Sequence, residues 1–186
     1  MRILRSVSLL ALASCALAAH AAPHLIDFEG FASFAPVGSA YLASDGVAFD
    51  GALVLNTDLG TFSNPPSGTG VATATSAFTM SSVNALTGSV GFYYASSTGA
   101  TVSVYSGLAG TGSLLGSLAL GRTPNPFTQF LSTSLSFAGE AHSVVFTTGF
   151  GTAGYDDITF TSASAVPGPV AALPFALMAI RRRKRA

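Results

Sequence analysis

The side chains best able to do chemistry in this chain are its carboxylates, and they cluster near the two ends of its central part. The eight acids are Asp27, Glu29, Asp45, Asp50, Asp58, Glu140, Asp156 and Asp157. In an extended strand Asp27 and Glu29, two apart, share a face, whereas the neighbours Asp156 and Asp157 point to opposite faces. Hard oxygen donors of this kind permit cation binding. Two histidines accompany them. His24 reads as a surface residue near the start of the central part. His142 stands beside Glu140 at the start of a strand and reads as a strand-edge histidine. A Ser-His-Asp set can be drawn from His142, a serine and Asp156, but serine is so common here that such sets arise by chance. No G-x-S-x-G elbow, G-x-x-x-x-G-K-[ST] loop, H-E-x-x-H pair or Cys/His zinc pattern is present. The chemistry on view is that of a binding protein, not an enzyme; a secreted hydrolase is the competing reading.

Aromatic rings are the other chemically useful group, because the apolar face of a sugar stacks on a ring. There is no Trp, and the rings with a polar tip are Tyr41, Tyr93, Tyr94, Tyr105 and Tyr155. Tyr93 and Tyr105 alternate with apolar neighbours and are expected to face outward together as a sugar platform.

The elements that must position these groups read as strands. In Gly88 to Gly107, Val90, Phe92 and Tyr94 alternate with Gly91 and Tyr93. The turn Ser96-Ser97-Thr98-Gly99 follows, and Val102 and Val104 then alternate with Thr101, Ser103 and Tyr105. Alternation on both sides of a turn predicts a hairpin. Further strands are expected at Leu25–Phe28, Gly46–Leu55, Phe78–Met80, Leu114–Leu120, Thr128–Phe137, Ser143–Thr147 and Tyr155–Thr161. Phe130, Leu135 and Phe137 are expected in the core. Asn64-Pro65-Pro66-Ser67-Gly68 reads as a long exposed loop. No amphipathic helix of ten residues is found between Ala22 and Ser164. Many short, closely spaced strands predict an all-β sandwich or barrel over residues 22–164.

The zero formal net charge hides a strong asymmetry. Between Ala22 and Ala165 the only Lys or Arg is Arg122, against all eight acids, which leaves −7. Such a surface excludes nucleic acid as a partner, since phosphate binding needs a basic face. The other cations lie in two terminal segments. Residues 1–21 carry Arg2 and Arg5, a short apolar stretch and the small-x-small step Ala19-His20-Ala21. They read as a signal peptide cleaved before Ala22. Removal of that segment takes Cys15, the single cysteine, with it. Leu12-Ala13-Ser14-Cys15 also fits a lipobox, which would make the protein a lipid-anchored surface lipoprotein instead. At the other end, residues 165–186 hold Val166-Pro167-Gly168-Pro169, an uncharged run from Val170 to Ile180, and the block Arg181, Arg182, Arg183, Lys184 and Arg185. An apolar run stopped by cations reads as a membrane segment with a cytoplasmic end. As a helix that run reaches about 16 Å, short of the roughly 30 Å of hydrocarbon, which favours transient contact with the inner membrane over a stable anchor.

The order of that tail resembles the PEP-CTERM sorting segment of exported Gram-negative proteins, with Gly168 at the family's Glu. The resemblance implies export to the cell surface or extracellular matrix, with an exosortase as the processing partner. The central part resembles a recurring passenger of that family through IDFEGF, SDGVAF, VGFYYAS, ATVSVYSGLAGTGSLLGS, FAGEAHSVVF and GYDDITF. Such passengers are similar to the jelly-roll, antiparallel sandwiches of carbohydrate-binding modules. That resemblance implies exopolysaccharide as a partner. It also implies a structural calcium ion at Glu29 and Asp156 or Asp157, where the first and last strands meet.

Overall fold

The computed structural model describes residues 22–163. The signal segment with its Ala19 and Ala21, and the tail with Val166 to Pro169 and Arg181 to Arg185, lie outside the described residues. Ten strands follow one another: β1 (Ala22–Ile26), β2 (Val47–Asp50), β3 (Leu53–Asn56), β4 (Gly70–Thr73), β5 (Ala77–Ser96), β6 (Ala100–Tyr105), β7 (Leu114–Leu120), β8 (Leu131–Ser136), β9 (Ala141–Thr147) and β10 (Ala153–Ser162). Every pairing between them is antiparallel. The helical elements described are single turns, α1 (Leu42–Asp45) and two 3-10 turns at Thr57–Leu59 and Leu108–Gly110. The all-β antiparallel sandwich expected from the alternation is the fold observed.

One strand belongs to both layers. The first part of β5 lies between β2 and β9, with Thr79 opposite Asp50 and Val145. Its second part lies between β10 and β8, with Gly91 opposite Thr159 and Ser134. Between the two, the register with β9 jumps from Ser81 to Leu86. A bulge of this kind bends a strand and strengthens its twist, and here it carries β5 from one layer into the other. Ser82 within it is fully buried and spends its hydroxyl on the Asn84 carbonyl at 2.7 Å. The segment Ser81-Ser82-Val83-Asn84 is polar apart from Val83, and this long strand is accordingly predicted only as two separate pieces, Phe78–Met80 and the Val90–Tyr94 arm of the expected hairpin.

Layer membership also corrects the expected hairpin. β5 and β6 are strands, and the chain turns between them at Ser97–Gly99, but they do not pair. β9 stands beside β6, with Val145 opposite Ser103, and β7 flanks β6 on its other side. The turn therefore crosses from one layer to the other. Alternation reports which face of a strand is buried; it does not report the neighbour.

The interior is aromatic and crosses the layers. Phe78 and Phe146 stack at 4.8 Å and 15°. Tyr155 meets Phe146 edge-on at 5.0 Å and Phe78 at 5.6 Å, and Phe92 meets Phe146 at 5.6 Å. All four are buried, each ring contributing about 1.5–3 kcal/mol through removal from water. Burial also pushes the Tyr155 phenol above its ordinary range. Its hydroxyl donates to the Thr147 carbonyl on β9 at 2.8 Å, a polar tie between layers inside an apolar core. Val90, Tyr94, Val102, Val104 and Leu135 are buried as expected, whereas Phe130 and Phe137 are only half-buried. A smaller cluster of Leu55, Phe62, Val71 and Ala95 takes Phe130 as its lid.

Candidate functional site

Acids near the two ends of the central part reach the same loop, Ser67 to Gly70, by a local geometry the sequence reading does not anticipate. β1 ends at Ile26, so Asp27 and Glu29 are not on a strand face. Phe28 between them has φ 56°, a left-handed conformation that costs a bulky residue about 1–2 kcal/mol. Its ring is fully buried against Phe49 at 5.5 Å, which offsets that cost. Asp27 Oδ1 accepts the Glu29 backbone N–H at 3.2 Å and the Tyr41 hydroxyl at 3.3 Å. Burial, reinforced by Asp27, pushes the Tyr41 phenol above its ordinary range.

On β10, Asp157 has φ 47°, and the register with β5 slips between Asp156 and Thr159. The expectation that Asp156 and Asp157 point to opposite faces fails for this reason: the bulge swings both carboxylates toward Ser67. The Ser67 hydroxyl donates to Asp157 Oδ1 at 2.7 Å, and its backbone N–H lies 3.4 Å from Asp156 Oδ2. Asp156 Oδ1 accepts the Asp157 N–H at 2.7 Å. Glu29 Oε1 accepts two backbone donors of the same loop, Thr69 N–H at 2.8 Å and Gly70 N–H at 2.7 Å. The loop thus clasps the end of β1 to β10, and two glycines make that approach possible. A Cβ on Gly70 would collide with the Phe28 carbonyl, and one on Gly68 with the Glu29 carboxylate. Ser67, Gly68 and Gly70 are the residues sequence reasoning missed; Asn64–Gly68 reads there only as an exposed loop.

Asp156 is fully buried. Burial is the main reason that its carboxyl is pushed up to about 8, and the nearby Asp157 and Glu29 charges add to it. Among the described residues, no three His, Cys, Asp or Glu side chains converge closely enough to hold a metal ion by themselves.

The outer face of β1–β10–β5–β8 forms a second feature. Two adjoining depressions of about 510 and 580 Å³ share Leu25, Gly91, Ser134 and Thr159. The first also takes in Tyr93, Ser132, Thr133 and Asp157. Gly91 is its floor; a Cβ there would sit 2.6 Å from Thr159 Oγ1. Tyr93 stands opposite Asp156 on one side and Ser132 on the other. Tyr105 is not part of this face. It pairs with Ser143 of β9 and Leu114 of β7, so its ring belongs to the other layer. The expected common platform of Tyr93 and Tyr105 is corrected by the separation of β5 and β6.

Both histidines among the described residues, His24 and His142, are held by hydrogen bonds. His142 Nδ1 lies 3.2 Å from the Ser82 carbonyl, a strand-edge contact as expected. His24 is not a free surface residue. Its ring stacks on Phe160 at 4.9 Å, with Nδ1 3.0 Å from Asp45 Oδ1 and Nε2 3.0 Å from Ser162 Oγ. This is the hydrogen-bond order of a nucleophilic triad. Ser162, however, is only 3% exposed, and the adjacent Ala163 N–H is spent on the Ala85 carbonyl. A serine so placed meets no substrate; the set fastens β1 to the end of β10.

No protein-family model and no curated protein matches the chain. Solved structures match its fold. The K2 cleaved adhesin domain of Lys-gingipain is 12% identical with a TM-score of 0.55, over 75% of this chain and 99% of that one. The module CsCBM6-3 from Clostridium stercorarium, solved with cellobiose, is 17% identical with a TM-score of 0.45, over 76% and 94%. A carbohydrate-binding module of family 29 is 11% identical with a TM-score of 0.46, over 77% and 90%. The likeness is one of fold, that of a β-sandwich module.

The clasp carries a pH dependence. An unfolded Asp titrates near 3.8 and Asp156 in the folded chain near 8, so the folded state keeps a proton that the unfolded state releases. Its stabilising contribution is complete below the lower value and is lost as pH rises toward the upper one, at no more than about 1.4 kcal/mol per pH unit. Urea midpoints measured in a chelator at pH 5 and pH 8 should differ less in Asp156→Asn than in the wild type. An unchanged pH difference in the variant would show that Asp156 ionises normally.

Proposed function

We propose that this protein is an exported, non-catalytic surface or matrix module that binds a neutral polysaccharide along the outer face of β1–β10–β5–β8. The observation that carries the reading is the open groove in which the Tyr93 ring stands among Ser132, Ser134, Thr159 and Asp157. A phenol ring offers a stacking surface for the apolar face of a pyranose, and the hydroxyls and carboxylate around it offer hydrogen bonds to its rim. No Lys or Arg lines it, which suits a neutral ligand rather than an acidic one. Affinity electrophoresis through gels containing neutral glucan, mannan or xylan should retard the wild type. Tyr93→Ala, and Gly91→Val, which fills the floor, should weaken that retardation about tenfold or more. Retardation that is unaltered in both variants would place binding elsewhere.

Calcium is the proposed partner of the clasp. Its three carboxylates are oxygen donors of the kind calcium prefers, and no basic side chain is among the groups hydrogen-bonded to them, which are loop N–H groups and the Ser67 hydroxyl. Glu29, Asp156 and Asp157 do not converge on one point as they stand, so to hold the ion they would have to draw together and give up loop N–H bonds, and the ion would supply the positive charge that Asp156 lacks. An ion bound only by the folded state raises stability by about 2.7 kcal/mol at 100 times its dissociation constant. Millimolar calcium added after thorough chelation should therefore raise the melting temperature, magnesium less so, and Glu29→Gln should remove the effect. An unchanged wild-type melting temperature would leave the clasp as a hydrogen-bonded structure alone.

Sorting is proposed from the termini. Residues 1–21 direct export, and the Pro-Gly-Pro, apolar and basic order of 165–186 presents the chain to an exosortase. Intact-mass analysis of the exported protein should find a chain that starts at Ala22 and lacks Arg181 to Arg185. Full retention of Arg185 and Ala186 would remove the processing step, and a fatty-acylated Cys15 would replace the route by a lipoprotein anchor.

A further inference from the structure

Outside the groove, the described residues hold three exposed phenylalanines, Phe34, Phe127 and Phe150. All three lie on loops at one end of the sandwich. Gly151 lies close enough to Thr61 that an added Cβ would meet its methyl at 3.6 Å, and Ser63 N–H donates to the Phe127 carbonyl at 2.8 Å, which joins those loops. Phe34 and Phe150, 53% and 48% exposed, stack on each other at 6.2 Å and 16°. Both are held in place by their backbones. Phe34 donates its N–H to the Val54 carbonyl at 2.7 Å. The Phe150 turn is closed by Gly149 N–H to Thr152 Oγ1 at 3.0 Å and by Thr152 N–H to the Gly149 carbonyl at 2.8 Å.

Phe34 also has φ 66°, the left-handed region that disfavours a bulky side chain. Phe28 is fully buried in return, whereas Phe34 keeps about half of its surface in water. A strained backbone that holds a large apolar ring in water has no folding rationale, and such outliers cluster at ligand contacts. The surroundings narrow the occupant. Ser33, next in the chain, donates its hydroxyl to Asp58 at 3.1 Å, and the described part of the chain has Arg122 as its one Lys or Arg. An anionic lipid surface or acidic polymer is repelled by this charge balance, whereas an uncharged, polyhydroxylated ring is not.

We propose that Phe34 and Phe150 form a second contact for neutral polysaccharide, separate from the groove, so that a long polymer engages both. The inference rests on the polysaccharide reading of the groove and predicts avidity: two weak contacts on one polymer bind far more tightly than either alone. The test uses the protein as purified after export, in gels of hydroxyethyl cellulose, galactomannan or xylan. Phe34→Asn with Phe150→Ser should lower retardation about tenfold and leave the melting temperature equal or higher, because Asn tolerates the left-handed backbone. Tyr93→Ala should lower it independently, and the triple variant should abolish it. Wild-type retardation in the double variant would overturn the loop contact and leave the groove reading intact. Loss in the double variant with none in Tyr93→Ala would support the loop contact and overturn the groove. Absence of retardation of the wild type in every gel would overturn both. A double variant that instead loses only binding to phosphatidylcholine–phosphatidylglycerol vesicles, or only self-association in sedimentation, would assign the pair to a lipid or to a second copy and overturn the proposal.

Discussion

The stack of Phe78 on Phe146, closed by Tyr155 and Phe92, is the interaction on which the rest of the structure depends. Its four rings come from β5, β9 and β10, and β5 contributes one ring from each of its halves. The chain has no Trp, and its described residues include no cysteine. Cohesion between the layers therefore rests on these rings and the aliphatic side chains around them. Because β5 is hydrogen-bonded in both layers, the two cannot separate without breaking it. The bulge that bends it between layers is as necessary as the rings it places.

Electrostatics works against this core at one place. Asp156 is buried in the same strand as Tyr155, and its neighbours Asp157 and Glu29 are also acidic. The chain answers them with donors rather than cations: the Ser67 hydroxyl and the backbone N–H groups of Ser67, Thr69, Gly70 and Asp157. Backbone donors are fixed by the loop, so they satisfy a carboxylate without the conformational entropy that a long basic side chain loses. A carboxyl held near 8 marks this arrangement as incompletely compensated. Asp157 both closes the clasp and borders the outer groove, so the state of the one bears on the polar rim of the other.

The two surfaces read as ligand contacts differ in kind. The groove lies on rigid, paired strands, with a single phenol ring among small hydroxyl side chains. The Phe34–Phe150 pair lies on loops, with rings held out by turn hydrogen bonds and, at Phe34, by a strained backbone. Aromatic stacking with little formal charge is common to both. That is the chemistry open to a domain whose described part holds one Lys or Arg. The Ser162–His24–Asp45 chain shows the opposite case, a catalytic hydrogen-bond order in a setting where burial leaves it a structural tie.

The sequence by itself determined most of the strands and their buried faces, though not β4 or the middle of β5. Val90, Phe92, Val102 and Val104 alternate with polar or small residues, and that period of two follows from side chains leaving a strand on opposite sides. It also determined the charge asymmetry, whereas the expectation that Glu29 lies near Asp156 or Asp157 came from the resemblance of IDFEGF and GYDDITF to a family and not from the residues alone. Only the tertiary structure decided how they meet. Pairing partners depend on contacts between distant segments, so β9 came to stand beside β6 where a local hairpin with β5 was expected, and Tyr93 and Tyr105 went to different layers. Left-handed residues at Phe28 and Asp157 are disfavoured locally and exist because burial and the Ser67–Gly70 loop stabilise them. No local propensity announces a conformation that is costly on its own, and for that physical reason the clasp, the bulges and the exposed phenylalanine pair became visible only in the folded chain.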